Sequence, residues 1–194
     1  LEFLGLDTYA DVFLNDSLIY TSENMFVGKK VEVKKYIKIG RNDLLIKFKS
    51  PINIGIEKHD SLGYSLPDNA NDLSEIGKVP GNKKVGVFSR KAPYSFGWDW
   101  GPRLVTSGIW RPIQLNFWSN FNIDDIYFNQ DISDDNAFID AEVEINSVGN
   151  HDNLVAEIFV DNESILKDLV YLKHGKNNFS IPFVMKNIKK WWPN

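Results

Sequence analysis

Most of the chain alternates apolar and polar residues with a period of two. Ala10, Val12 and Leu14 alternate with Asp11 and Phe13. Leu44, Ile46 and Phe48 alternate with Lys47 and Lys49, and Ala141, Val143 and Ile145 with Glu142 and Glu144. This spacing predicts half-buried strands of antiparallel sheets. Turn-forming residues separate them at Asn15-Asp16, Gly40-Arg41-Asn42, Gly149-Asn150, Asp161-Asn162 and His174-Gly175. No amphipathic helix longer than a turn or two is expected. Short strands at this spacing indicate an all-β protein built of β-sandwiches.

Two interruptions organise the chain. Residues 51 to 87 hold Pro51, Pro67 and Pro80, several Asn and Asp, and Gly55, Gly63, Gly77 and Gly81. They predict a long irregular loop, a feature that is often functional. The second shift falls near residue 118, where the aromatic strand GIWRPIQLNFW gives way to plainer strands with acidic turns. The expected domains are therefore 1–118 and 119–194. The second should contain about four or five strands, at 123–129, 138–146, 154–160, 165–173 and 178–184. An immunoglobulin-like sandwich usually has about seven, so this domain is expected to lack its last strands. The chain begins without methionine and ends in WWPN, which suggests a processed end or a cut within a longer protein.

Composition narrows the function classes. The 194 residues carry a net charge of −4 without a basic stripe, so a nucleic-acid partner is not expected. The pair Lys83–Lys84 is assigned to a solvated turn. No cysteine is present, which excludes disulfides and thiolate metal sites. This fits a reducing cytoplasm without excluding export, and a longer parent protein is expected to be exported to the periplasm or the extracellular space. No apolar run approaches the ~20 residues of a membrane span, no signal peptide is visible, and no membrane partner is expected.

The segment YSFGWDWGP at 94–102 concentrates the candidate chemistry. In a strand, Trp98 and Trp100 would share one face and Asp99 would occupy the other. The tryptophans would then be core, and Asp99 a solvated or paired carboxylate facing Arg103 or Arg111. Gly97, Gly101 and Pro102 argue instead for a loop or strand end. Indole faces suit the apolar C–H faces of a pyranose, and a carboxylate accepts hydrogen bonds from its hydroxyls, the usual make-up of a small-ligand pocket.

Other candidates are weaker. A glycosidase needs two carboxyl groups about 5–10 Å apart, but with 26 acidic residues some pair falls in that range by chance. Asn162-Glu163 reads as a turn between strands. The histidines, His59, His151 and His174, are dispersed. Asp131, Asp134, Asp135 and Asp140 lack calcium-loop spacing and read as a solvated acidic turn. No cofactor and no metal are expected, and no nucleophile, phosphate-loop or dinucleotide fingerprint is present.

Three stretches carry a family resemblance: RKAPYSFGWDWGPRLVTSGIWRPIQL at 90–115, GLDTYADVFLND at 5–16, and NMF at 24–26. They resemble the β-mannosidase branch of glycoside hydrolase family two, in which FGWDWGP is typically followed by GIWRP. The terminal WWPN is similar to a run late in the family's next domain. The resemblance covers essentially the whole chain. Asp16 departs from it, since glycine often follows the LN turn there; aspartate also tolerates turn geometry.

The resemblance implies a jelly-roll, galactose-binding-like sandwich, then an immunoglobulin-like sandwich, then a TIM barrel carrying an acid/base and a nucleophilic glutamate in a retaining mechanism. A barrel needs about 250 residues of alternating strand and helix. The expected partners are thus a β-mannoside saccharide and a catalytic barrel outside this chain, and the chain alone is expected to be inactive. The jelly roll is expected to lack its opening strands. By the resemblance, Trp98 and Asp99 help form the terminal-mannose subsite, and Trp100 matches the motif and packs beneath the loop. Tyr94, Arg103 and Trp110 act as support. A self-standing carbohydrate-binding or scaffold module, or the same region of a β-galactosidase or β-glucuronidase, remains the alternative. Unpaired edge strands would favour homo-oligomers.

Overall fold

The computed structural model describes residues 1–67, 83–98 and 100–193. The chain divides into two compact units, Leu1–Asn116 and Phe117–Asn194. Both are built mainly of antiparallel strands, and among the described residues no helix is long and apolar enough to cross a membrane. The all-β expectation holds.

In the first unit, β1 (Glu2–Asp7), β2 (Ala10–Leu14), β3 (Ser17–Ser22), β4 (Lys29–Lys30), β5 (Leu44–Phe48) and β6 (Gly108–Gln114) form two sheets among the described residues. Their orders are β4-β1-β6 and β3-β2-β5. The chain passes from one sheet to the other between β1 and β2, and one apolar cluster joins them. Phe3 and Leu6 of β1 meet Ala10 and Val12 of β2, flanked by Tyr20, Ile46, Phe48 and Ile113. Burying a side chain such as Val12 or Phe3 contributes roughly 1.5–3 kcal/mol. The period-two pattern of residues 10–14 is thus the alternation of core and outer faces.

Turn chemistry sets the register. Asn15 and Asp16 have φ 48° and 66°, which suits the two-residue hairpin between β2 and β3. Aspartate therefore serves where glycine was expected. The Asn15 amide also reaches the Tyr36 carbonyl and Asn42 Oδ1, each at 2.8 Å, and its carbonyl oxygen accepts the Asp43 N–H at 3.0 Å. One turn residue thereby gathers the chain on both sides of Gly40.

Residues 51–87 correct the sequence reading. Pro51–Leu62 is an α-helix, α1, where an irregular loop was predicted. Ser50 caps it, its hydroxyl accepting the Asn53 N–H at 3.3 Å. Pro51 occupies the first turn and Gly63, at φ 78°, ends the helix. Ile52, Ile54 and Ile56 alternate with polar or small residues and imitate a strand. The helix buries Pro51 and Gly55, and a Cβ at Gly55 would lie 2.6 Å from Val85 Cβ. The expectations for Gly77 and Gly81 lie outside the described residues.

In the second unit, β7 (Phe121–Ser133), β8 (Asn136–Ser147), β9 (His151–Val160), β10 (Glu163–Leu172) and β11 (Gly175–Lys186) form the sheets β11-β8-β7 and β10-β9 among the described residues. Each strand includes most of its predicted counterpart and runs longer, because regular pairing continues almost to the hairpin turns. Asp134, Asp161, Asn162 and Gly175 take the positive φ angles of those turns. Ala141, Val143 and Ile145 of β8 form the core with Leu172 and Ile181.

Candidate functional site

The segment around Trp98 is built from a buried root outward. Pro93–Phe96 forms a 3-10 turn. Phe96 is 2% exposed and packs with Val85, Ile52, Ile56 and Val105, so α1 supplies part of the floor. Gly97 follows at φ 127° and ψ 160°, a conformation essentially confined to glycine. It redirects the chain outward. The Gly101 N–H then donates to the Trp98 carbonyl at 3.0 Å, closing a tight turn.

The turn decides where the aromatic surface lies. The Trp98 and Trp100 rings meet edge to face, with centroids 6.0 Å apart and planes at 85°. Trp98 is 43% exposed and Trp100 83%. The expected packing of Trp100 beneath the loop is therefore corrected: its ring lies at the surface of the turn and meets Trp98 edge-on. Asp99, the central candidate, lies outside the described residues.

The supporting residues sit at different depths. Arg103 is buried, its guanidinium carbon 5.8 Å from the Phe96 ring centroid. The Tyr94 ring is exposed, and it is the Tyr94 carbonyl that contributes, accepting the Gly97 N–H at 3.1 Å. Trp110 donates from Nε1 to the Met25 carbonyl at 2.8 Å, stands edge-on to Phe26 and carries the Arg111 guanidinium 4.2 Å above its ring. Trp110 also explains Gly5, where a Cβ would lie 2.5 Å from Trp110 Nε1.

Met25 is the second clamp on the root. Its N–H donates to the Arg90 carbonyl at 3.0 Å, and its sulfur accepts the Ala92 N–H at 3.1 Å. Between those contacts Lys91 turns inward to a buried ion pair with Asp7, whose other oxygen accepts the Thr8 hydroxyl. Asp7, Met25 and Lys91 all lie within the motifs that carry the resemblance, yet none of them has an expected role there. An Asp ending the apolar run of β1, and a Lys between Arg90 and Ala92-Pro93, were the available signals.

Residues 1–111 match the model of the glycosyl hydrolase 2 galactose-binding domain-like family. The chain belongs to that family. Among the relatives of this galactose-binding-like chain is β-mannosidase B of Thermothelomyces thermophilus, 29% identical over 198 residues, covering 100% of this chain and 21% of the relative. A probable β-mannosidase of Caenorhabditis elegans is 38% identical over 122 residues, covering 61% of this chain and 13% of the relative. The solved structure of the β-D-mannosidase from Dictyoglomus thermophilum aligns over 99% of this chain and 22% of that one, with 31% identity and a TM-score of 0.77. The chain spans about a fifth of the length of the first curated relatives it matches.

A further polar cluster lies at the end of α1 in the galactose-binding-like unit. His59 Nδ1 is 3.1 Å from Asp60 Oδ1, and Nε2 is 3.0 Å from Ser65 Oγ. The order Ser–His–Asp resembles a hydrolytic triad, but Lys83 Nζ already engages Asp60, 2.8 Å from Oδ2. Lys83 is thus a half-buried partner of α1, which corrects its assignment to a solvated turn. The cluster is a structural tie between the helix end and residue 83.

The lysine has a pH consequence. Its hydrogen bond, with a smaller one from His59, lowers the Asp60 carboxyl below its ordinary value. Lys49 and then Thr21 lower Asp11 in the same direction, and Ser164 and then Lys167 lower Glu157. A carboxyl depressed in the folded state stabilises above its unfolded pKa, about 4, and loses that contribution as pH falls through the folded pKa. Melting temperature should therefore hold steady from about pH 7 to pH 5 and fall below about pH 4. Lys49→Met and Lys83→Met should flatten the acid limb in thermal melts followed by circular dichroism. An unchanged limb in both variants would remove these pairs as its cause.

Proposed function

We propose that this chain is the non-catalytic N-terminal part of an exo-acting retaining β-mannosidase, with residues 1–118 as the sugar-facing jelly roll and 119–194 as the immunoglobulin-like sandwich. In this reading the Trp98–Trp100 turn is a lip of the terminal-mannose subsite, and the bond-breaking carboxyl groups lie on a barrel outside residues 1–194. The observation that carries the reading is the pair of exposed indoles on a turn whose root is buried. Two flat apolar faces held at fixed angles suit a pyranose, and a turn of this kind has no packing reason to carry them. The relatives named as β-mannosidases support the choice of sugar.

Each lip residue has a distinct role. Trp98, the less exposed indole, stacks on the sugar face. Asp99 accepts hydrogen bonds from its hydroxyls, and Trp100 buttresses Trp98 edge-on. A hydrogen bond to a charged group is worth roughly 1.5–3 kcal/mol, about 10- to 150-fold in rate when made in the transition state.

The test compares kcat/KM on aryl β-mannoside and aryl β-galactoside in the full-length protein. Wild type should prefer the mannoside, and Asp99→Ala should lower that value about 10- to 150-fold. Retained preference with an unaffected mutant would return the lip to packing. Preference for the galactoside would move the region to another member enzyme. Absence of hydrolysis together with mannose binding by residues 1–194 alone would favour a self-standing binding module.

A further inference from the structure

We propose that the buried Lys91–Asp7 pair is a positioning device for the Trp98–Trp100 lip, a proposal that rests on the function proposed above. The Lys91 side chain is 0% exposed and that of Asp7 10%. Removing two opposite charges from water costs several kcal/mol per ion, and their attraction returns this only in good geometry, so apolar residues of like volume often serve stability as well or better. Stability alone is therefore a weak reason for this pair. Direction is a stronger one: the ammonium must meet a carboxylate whose own orientation is set by the Thr8 hydroxyl at 2.5 Å.

The position of the pair gives that direction a use. Asp7 is the last residue of β1 and lies opposite Gly108 of β6, so its backbone belongs to a paired strand. Lys91 lies between two residues clamped to Met25, Arg90 through its carbonyl and Ala92 through its N–H. From there to Trp98 the chain has little slack. Pro93–Phe96 is a 3-10 turn with a proline at its start, Phe96 is buried, and the Gly97 N–H is held by the Tyr94 carbonyl at 3.1 Å. A shift of Lys91 is passed along this stiff path to Trp98. Losing the pair moves the lip even when the fold survives.

The experiment separates position from stability in the full-length enzyme. The double variant Asp7→Leu/Lys91→Met replaces both charges by apolar groups and should melt near the wild-type temperature. It should nevertheless lose about ten- to a hundredfold in kcat/KM for aryl β-mannoside, mainly through a raised KM, as expected for a binding group misplaced by about 1 Å. Asp7→Glu keeps the charge, displaces the carboxylate by one methylene and should raise KM in the same direction without leaving Lys91 unpaired. It supplies the answer if the double variant does not fold. Val12→Ala, in the core between the sheets, should lower the melting temperature and leave kcat/KM unchanged.

Unaltered KM in the double variant, or in Asp7→Glu where the double does not fold, would overturn the positioning role. So would an equal rise in KM for Val12→Ala, because instability alone would then explain the loss. Trp98→Ala distinguishes the two levels. If it leaves mannoside hydrolysis intact, the lip itself fails and the positioning role fails with it. If it impairs hydrolysis while the pair variants are silent, only the positioning role is lost.

Discussion

Lys91→Met alone is expected to destabilise the Leu1–Asn116 unit by about 3–5 kcal/mol, because it leaves the Asp7 carboxylate buried without its counter-charge. Methionine fills nearly the volume of the lysine stem, so a cavity contributes little. The lost partner does the damage, since Thr8 supplies a single hydroxyl donor and the Asp7 side chain is only 10% exposed. For a unit of this size the loss corresponds to a drop in melting temperature of about 10–20 °C. Urea unfolding followed by circular dichroism reads it directly. Adding Asp7→Leu should restore most of the stability, a non-additive result that marks the two side chains as one unit. A loss below about 1 kcal/mol for Lys91→Met would mean that the pair is solvated like a surface bridge.

Phe96→Ala should cost a similar amount, about 3–5 kcal/mol, by the transfer and cavity terms of a buried aromatic. Its ring fills the space between Val85, Ile52, Ile56 and Val105, and it is the surface over which the Arg103 guanidinium lies. The contrast with Trp100→Ala is the sharper test. Trp100 has the larger side chain but is 83% exposed, so its removal should change stability by no more than about 0.5 kcal/mol. Urea unfolding of both variants checks the pair. Equal losses would place Trp100 in packing and contradict the exposed turn.

These expectations divide the aromatic segment into a buried half and an exposed half. Phe96 and Gly97 build the root and the exit from it. Trp98 and Trp100 are what the root presents. The motif FGWDWGP is one string, yet Phe96 is buried while Trp98 and Trp100 are exposed.

Much of the molecule was legible along the chain. The strands at 10–14, 44–48 and 138–146 follow from a period of two in their apolar positions, interrupted only at Phe13, Leu45 and Phe138-Ile139, because a strand with one buried face repeats every two residues. The hairpins at Asn15-Asp16 and Asp161-Asn162 follow from residues that accept positive φ at little cost. The helix Pro51–Leu62 was missed although its ends were marked by Ser50, Pro51 and Gly63. Its isoleucines at 52, 54 and 56 copy a strand, and its buried contacts include a proline and a glycine, which give no helical stripe. Trp100 was misplaced because a loop motif does not state which of its side chains turn inward, and here the turn closed by the Gly101 N–H leaves that ring outside.

The sequence by itself determined the all-β class, the turn positions, the family resemblance and the segment that carries the candidate site. All of these depend on preferences of neighbouring residues or on short motifs. Only the tertiary structure decided which side chains hold that segment: Lys91 on Asp7, 84 residues away, and Trp110 on Met25, 85 residues away. Such contacts have no local signature. A buried charge and a surface charge are the same letter until the sheets pack, and it is the low dielectric of the packed interior that turns Lys91 and Asp7 from ordinary polar residues into partners.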